Sequence, residues 1–252
     1  MTFCLGISVA EGLVGIADTR ITSGNEMTSA RKVSTYQNGN GAFFVMTSGL
    51  RSVRDKTLTY FDEVLAEAGG ASDKLYKVVN LFASQLRRVA IEDKAYLKES
   101  GLHFDMHALI GGQLTEDDTH KLYLAYPEGN WVEICQGTPY HIIGEGGYGK
   151  PVMDRTLKYS DSLRMALKVG CLAFDSTRIS AADVDFPVDV VIYHAGGREL
   201  AEHRYEKEDL ANISSWWQEH LRALVHELPA SWIDDVASKL TTVSRKALVL
   251  PD

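Results

Sequence analysis

The start of the chain carries a hydroxyl side chain that is suited to act as a nucleophile. Thr2 follows Met1 and precedes an apolar run. We expect removal of Met1 to leave Thr2 with a free α-amine. The ordinary pKa of such an amine, about 7.7–8.0, leaves part of it neutral near pH 7 and able to accept the hydroxyl proton. An N-terminal threonine with its own amine as base is one form of the nucleophile–base pair, so the sequence predicts a nucleophilic site at Thr2.

Two charged residues and a turn could complete this site. A nearby cation lowers the pKa of a hydroxyl, and Lys32, in the run SARKV, is the candidate cation. Asp18 ends the run GLVGIAD and is the candidate partner that holds the Lys32 ammonium group in place. Negative charge that develops on a substrate carbonyl needs hydrogen-bond donors. The turn 47–49 (TSG) is the candidate source of a backbone N–H.

The elements that must position these residues fall into blocks. Residues 2–10 and 12–18 predict a hairpin of two strands, and residues 42–47 predict another strand. Two amphipathic helices, four strands, two more helices and two more strands follow. Segregated blocks indicate an α+β fold. We predict a four-layer αββα sandwich, with two sheets face to face and a pair of helices on each outer side. The predicted domains are 1–205, a sandwich, and 206–252, a helical C-terminal extension that packs on the same domain or on a neighbouring subunit.

Composition restricts the function classes. The chain has 252 residues and a net charge of −8, which disfavours nucleic acid and anionic lipid as partners. No apolar run is long enough to predict a membrane span. The three cysteines have no zinc-type spacing, and we expect no metal and no organic cofactor. The residues after Met1 have neither a basic segment nor a signal-length apolar stretch, so we expect a cytoplasmic protein.

Several short motifs together resemble one protein family. They are Thr2, the run 17–20 (ADTR), the run 31–33 (RKV) and the run 46–49 (MTSG). In this order they resemble a β-type proteasome subunit, an N-terminal nucleophile hydrolase. Within that family the opening Met-Thr-Phe-Cys and the segment 144–151 (GEGGYGKP) are similar to the bacterial Anbu, or ancestral β-subunit, proteins.

The resemblance implies roles for the matching residues. Thr2 resembles the family's nucleophile, and Asp18 and Lys32 resemble the Asp and Lys that complete its site. Ser48 resembles the oxyanion donor. The other implied roles are structural support beside Asp18 for Arg20, backbone pairing with an extended substrate for Thr22, a wall of the first specificity pocket for Met46, and support of the amine for Asp175.

The implied function is a threonine-type peptidase that acts on a peptide or protein substrate. The family also implies a homo-oligomer, either a ring or an open helical ring. The turn 144–146 (GEG) lacks the serine that assists the amine in proteasome subunits, so slow turnover or an unusual substrate is expected. Two alternatives stay open, namely a non-catalytic assembly or binding subunit and a non-proteolytic amide hydrolase of the same fold.

Two other motifs favour different functions less strongly. The stretch 144–149 (GEGGYG) fits G-x-G-x-x-G between a strand and a helix, but no acidic residue ends a second strand about 20 residues later, as a dinucleotide site requires. His103 and His107 have the i, i+4 spacing of helical metal ligands, but their segment has the pattern of a strand and no third ligand is evident.

Overall fold

The computed structural model describes residues 2–23, 26–39, 41–68 and 72–240. The chain divides into two compact units, Met1–Leu210 and Ala211–Asp252. The first unit contains all of the strands and the first four helices of the described chain. The second contains two helices, and each unit is described by itself.

The elements are numbered in chain order. The strands are β1 (Phe3–Val9), β2 (Gly12–Asp18), β3 (Arg20–Ser23), β4 (Glu26–Ser29), β5 (Val33–Asn38), β6 (Gly41–Gly49), β7 (Met106–Leu114), β8 (Lys121–Ala125), β9 (Trp131–Glu133), β10 (Tyr140–Gly144), β11 (Val188–His194) and β12 (Glu199–Tyr205). The helices are α1 (Arg51–Ala68), α2 (Leu75–Glu99), α3 (Lys150–Thr156), α4 (Leu163–Ser180), α5 (Ala211–His226) and α6 (Ser231–Ala237).

The first unit contains two five-stranded antiparallel sheets. The order of the first sheet is β10-β1-β2-β11-β12, and the order of the second is β5-β6-β7-β8-β9. A short antiparallel hairpin, β3–β4, lies between β2 and β5 along the chain. The sequence therefore leaves the first sheet after β2 and enters the second at β5, so the first 50 residues supply strands to both sheets.

An apolar layer fills the space between the sheets. It combines residues of the first sheet, such as Cys4 and Leu13, with residues of the second, such as Phe44 and Leu122. Gly6 of β1 is important here because a Cβ atom at this position would lie 3.1 Å from a methyl group of Leu122. The absence of a side chain therefore lets the two sheets approach closely.

Helices cover the outer face of each sheet. Helices α1 and α2 pack on the second sheet through Phe61 and Phe82, which meet edge to face, and through apolar partners on β6 and β7. Helix α4 packs on the first sheet at Gly170, next to Ile7 and Ile16, and α3 packs on α4. These four layers confirm the predicted α+β sandwich of αββα type.

The second unit contains amphipathic helices. Helix α5 and helix α6 bury no side chain, and both expose large apolar groups. These exposed groups are Trp216, Leu221, Leu224, Val225, Trp232 and Val236. Within the described parts of the chain, none of the helices combines the length and the apolar character that crossing a bilayer requires.

Candidate active site

The position of Thr2 follows from the alternation of side chains along β1. Phe3 contacts Phe174 of α4, with ring centroids 5.9 Å apart, whereas Cys4 faces the second sheet. Because successive side chains of a strand point to opposite faces, Thr2 shares the face of Cys4. Thr2 therefore lies where the space between the two sheets opens to solvent. Its carbonyl accepts a hydrogen bond of 2.7 Å from the Glu145 amide, which continues the pairing of β1 with β10.

A buried ion pair lies next to this threonine. The Lys32 ammonium donates to Asp18 Oδ1 at 2.7 Å, and the two side chains are 3% and 0% exposed. The same Oδ1 atom accepts a hydrogen bond of 2.8 Å from the Phe3 amide. The Phe3 nitrogen belongs to the peptide bond that joins Thr2 to Phe3. The ion pair is therefore fixed against the peptide group of Thr2 itself.

Backbone groups hold Lys32 in this position. Its ammonium also donates to the Arg20 carbonyl at 2.7 Å, and the Lys32 carbonyl accepts from the Thr47 amide at 3.1 Å. These bonds tie Lys32 to the start of β3 and to the end of β6. Two of the three ammonium protons have acceptors in these bonds, which leaves a third for an oxygen atom in the open space beside Thr2.

Opposing effects set the ionisation of Asp18. Burial raises the pKa of the Asp18 carboxyl, because the charged form loses its hydration. The Lys32 ammonium opposes this rise in the pKa, as do hydrogen bonds from the Phe3 and Arg20 amides. The carboxylate therefore depends on Lys32 for much of the stabilisation of its charge.

An open cavity of about 720 Å³ adjoins the ion pair. Thr2, Lys32, Thr47, Ser48 and Gly144 line one part of it. The rest of its wall comes from β3, from β4, from the first turn of α1 and from the segment before β7. The lining residues from these parts are Arg20, Ile21, Thr28, Gly49, Leu50, Arg51, Arg54, His103 and Asp105.

Ser48 lies at the end of β6 beside Thr2. Its hydroxyl oxygen is 3.1 Å from the place where a Cβ atom on Gly144 would be. The Gly144 residue adopts a φ of +87°, and the same Cβ atom would lie 1.9 Å from the Thr2 carbonyl oxygen. Only glycine allows the ends of β1, β6 and β10 to meet this closely.

The sequence matches no known family profile and no curated protein. The structure is similar to a Gly-1 mutant of Anbu from Hyphomicrobium sp. strain MC1, with 28% identity and a TM-score of 0.83, over 90% of this chain and 99% of that one. The chain has the fold of the Anbu proteasome-like proteins.

Two further Anbu structures support this result. One is the ancestral β-subunit from Yersinia bercovieri, at 26% identity and a TM-score of 0.83, over 90% of this chain and 97% of that one. The other is from Pseudomonas aeruginosa, at 26% identity and a TM-score of 0.84 with the same coverage, and it is described as a helical assembly. The resemblance to Anbu seen in the sequence motifs is thereby confirmed.

The Anbu fold places the other predicted site residues in different environments. Arg20 lines the cavity, pairs with Asp185 at 3.1 Å and supplies the carbonyl that accepts from Lys32. Thr22 lies in β3 opposite Met27, and its side chain falls outside the described part of the structure.

Two predicted residues do not reach the cavity surface. Met46 is fully buried between the sheets, where its sulfur lies near Gly15, and it is not part of the cavity lining. Asp175 is buried in α4 and pairs with Arg178 at 2.7 Å, also away from the lining. The pocket-wall role of Met46 and the amine-support role of Asp175 stay predictions.

The motifs that favoured other functions take structural roles. The turn 144–149 connects the end of β10 to α3, and its Glu145 amide donates a hydrogen bond to the Thr2 carbonyl. His107 lies in β7 and its Nδ1 atom is 3.2 Å from Asp105 Oδ1, whereas His103 precedes the strand. Among the described residues, no group of three or more His, Cys, Asp or Glu side chains is arranged to hold a metal ion.

The sequence analysis missed the arginines of the cavity. Arg51 and Arg54 lie in the first turn of α1, directly after the turn 47–49 that was assigned to the site. The sequence contained enough information to place them, because a helix that starts at residue 51 must carry its first side chains next to that turn. Residues three apart on a helix share a face, so both arginines could have been placed there.

Proposed function

We propose that this chain is a threonine-type amidohydrolase that cleaves peptide bonds, with Thr2 as the nucleophile after removal of Met1. One observation carries the proposal. Asp18 Oδ1 binds both the Lys32 ammonium and the amide of the Thr2–Phe3 peptide bond. This arrangement puts a fixed, buried cation next to the residue whose hydroxyl must lose a proton. Buried charges cost free energy, and a charged pair at this position fits a catalytic role better than a structural one.

The proposed reaction has two halves. In the first, the neutral α-amine of Thr2 accepts the proton of its own hydroxyl, and Oγ1 attacks the carbonyl carbon of the substrate. The resulting tetrahedral species expels the amine product, which receives the proton from the Thr2 ammonium, and an ester remains on Oγ1. In the second half, water attacks the ester with the same amine as base, and the acid product leaves.

Lys32 and the end of β6 stabilise the charges that develop. The positive Lys32 ammonium favours the alkoxide form of Thr2, because Lys32 is itself almost fully buried and water screens its charge little. The Thr47 amide already donates to the Lys32 carbonyl. The amide of Ser48, the predicted donor, and that of its neighbour Gly49 are therefore the candidates for binding the oxyanion.

A covalent probe tests this proposal directly. A β-lactone or epoxyketone is expected to add one equivalent to the chain that lacks Met1, and intact-mass measurement detects the adduct. Thr2→Ala should abolish the adduct, whereas Thr59→Ala, which changes an exposed threonine of α1, should leave it unchanged. Retention of Met1 on the native protein, or labelling of the Thr2→Ala variant, would show that Thr2 is not the nucleophile and would favour a non-catalytic subunit.

We also propose that copies of the chain assemble into a ring or an open helical ring. The similar Pseudomonas aeruginosa Anbu structure is a helical assembly. The second unit of the present chain exposes Leu224 and Trp232, which are 57% and 60% exposed, on two amphipathic helices. Exposed apolar surface of this kind marks protein interaction sites.

Sedimentation velocity measures this assembly. We expect the wild-type chain to sediment as an oligomer and the pair Leu224→Glu and Trp232→Glu to shift the distribution to smaller species, because the substitutions place charges in an apolar interface. The control Gln218→Glu adds one charge at an exposed polar position of the same helix and should leave the distribution unchanged. A wild-type monomer, or a double variant that remains assembled, contradicts the proposal.

A further inference from the structure

The cavity beside Thr2 has a charge that is opposite to that of the whole chain. The chain carries a net charge of −8. The cavity wall, however, includes four cationic side chains, Arg20, Lys32, Arg51 and Arg54, and one acidic side chain, Asp105. The carboxylates that pair with these cations, Asp18, Asp55 and Asp185, are not part of the lining. The residues that line the cavity therefore carry a net positive charge, which attracts an anionic ligand.

The four cations differ in what they can offer a ligand. Lys32 is engaged by Asp18 and by the Arg20 carbonyl, and Arg20 pairs with Asp185. Arg51 has a side chain that is 59% exposed, and water screens its charge. The Arg54 side chain is only 11% exposed. Arg54 is therefore the least exposed of the three arginines, and water screens its charge least.

Among the described residues, the hydrogen bonds of Arg54 occupy one edge of its guanidinium group. Its Nε and Nη2 atoms both donate to a single atom, Asp55 Oδ1, at 2.8 and 2.7 Å. A guanidinium group has five N–H donors in one plane, and this contact uses one edge of the plane. Among the described residues, no other ion pair involves Arg54. The edge formed by Nη1 and Nη2 therefore keeps two parallel donors, the geometry that binds a carboxylate through both oxygens.

Arg54 and Thr2, the proposed nucleophile, line the same cavity. The charges of Lys32 and Arg54 both act to lower the pKa of the Cys4 thiol, although burial raises that pKa overall. Cys4 is two residues from Thr2 on the same face of β1, and its thiol donates to the Thr47 carbonyl at 3.6 Å. Arg54 also lies in the first turn of α1, where the partial positive charge of a helix N-terminus adds to its own.

We propose that the cavity binds an acidic side chain, Asp or Glu, of the substrate residue next to the cleaved bond, and that Arg54 is the residue that determines this specificity. The inference rests on the proposed function for the position of the cleaved bond. A free carboxylate at a peptide C-terminus has the same chemistry as an acidic side chain. The test therefore uses peptides with an amidated C-terminus and compares them with a free-acid peptide that has no acidic side chain.

Binding to the Thr2→Ala variant tests the inference without any need for turnover. Two fluorescent peptides that differ only in Glu or Gln at the tested position are titrated with this full-length variant, and anisotropy gives the dissociation constants. We expect the Glu peptide to bind about ten-fold more tightly, in line with a charge-assisted bidentate contact. Adding Arg54→Gln should reduce the preference to about two-fold or less, because the remaining arginines are more exposed and water screens their charges more. Arg54→Lys should retain an intermediate preference.

The matched control is Arg88→Gln, which removes an exposed arginine of α2 that pairs with Glu92. It should leave the ten-fold preference unchanged. Equal binding of the Glu and Gln peptides, or an unchanged preference in Arg54→Gln, overturns the inference. Tighter binding of the free-acid peptide than of the Glu peptide assigns the cavity to a chain terminus instead and also overturns it.

Two features keep this test separate from the test of catalysis. The Thr2→Ala protein, which keeps Arg54, should prefer the Glu peptide, and added salt should weaken this preference. Both effects can be measured even if Arg54→Gln does not fold. Failure of the covalent probe to label wild-type protein bears on the proposed function alone. Loss of the Glu preference in a protein that does label bears on the inference alone.

Discussion

Lys32→Met is expected to abolish most of the activity and to destabilise the fold at the same time. The substitution keeps an unbranched side chain of similar length but removes the ammonium that donates to Asp18 and to the Arg20 carbonyl. Loss of one electrostatic donor at a reacting centre typically costs about 10²–10³-fold in rate. Removal of one partner from a buried ion pair costs about 3–5 kcal/mol of the free energy of unfolding.

The stability effect should depend on pH in a specified direction. Without Lys32, burial holds the pKa of Asp18 above its value of about 3.9 in the unfolded chain. A raised pKa in the folded state means that the folded state binds the proton more tightly, so stability is retained below the unfolded pKa and is lost as the pH rises through the folded pKa. The destabilisation by Lys32→Met should therefore be smaller near pH 4 than at pH 7. Urea unfolding at several pH values measures it.

The double variant Asp18→Asn/Lys32→Met separates the two effects. It removes both charges, so we expect it to recover much of the lost stability but none of the lost turnover. The surface control is Lys121→Met, whose pair with Glu133 is partly exposed, and it should change the free energy of unfolding by less than about 1 kcal/mol. A double variant with wild-type turnover, or a Lys32→Met protein with unchanged stability, would remove the basis for a catalytic Lys32.

The amino-acid pattern was sufficient for the architecture, because burial of apolar faces determines it. The predicted hairpin of 2–10 and 12–18 agrees with β1 and β2, and all fourteen residues of these two strands are buried. The helical periodicity of Val78, Phe82 and Leu86 agrees with the buried face of α2. Each of these elements has a strong internal pattern, and no distant residue is needed to recognise it.

Some local predictions failed because the residues involved contact parts of the chain that are distant in sequence. The residue type and position of Ser72 predict an N-cap for the second helix. However, α2 begins at Leu75, and the Leu75 amide donates to Asp117 Oδ2 at 2.9 Å. The partner that satisfies this helix end is about 40 residues away in sequence, so a local capping rule cannot find it. The short β3–β4 hairpin was likewise not predicted, because its sequence has no continuous apolar pattern.

The same limit applies to the site. Residue type and context were enough to select Asp18 and Lys32, which the fold brings into contact. Met46 is the predicted pocket wall, and it lies two residues further into β6 than Ser48. A step of two residues along a strand is about 7 Å. That distance separates the open end of the sandwich from its apolar interior, where Met46 is fully buried.

Gly144→Ala should damage the site through the backbone of Thr2. Gly144 has a φ of +87°, and an alanine Cβ atom would lie 1.9 Å from the Thr2 carbonyl oxygen and 2.7 Å from its carbonyl carbon. Because backbone atoms cannot rotate away as a side chain does, the start of β1 must move. The hydrogen bond of 2.7 Å from the Glu145 amide to the Thr2 carbonyl would then be lost or distorted.

We expect this single methyl group to reduce the rate of probe labelling by about 10²-fold, which is the typical result of a misplacement of about 1 Å at a reacting group. The strained backbone should also lower the free energy of unfolding by about 1–3 kcal/mol. Gly146→Ala is the matched control in the same turn, because a Cβ atom there would be 3.6 Å from its nearest neighbour, which is ordinary contact. If Gly144→Ala reacted with the probe as fast as Gly146→Ala, the precise position of the Thr2 backbone would not matter for the chemistry. In that case the close meeting of β1, β6 and β10 would have only a structural role.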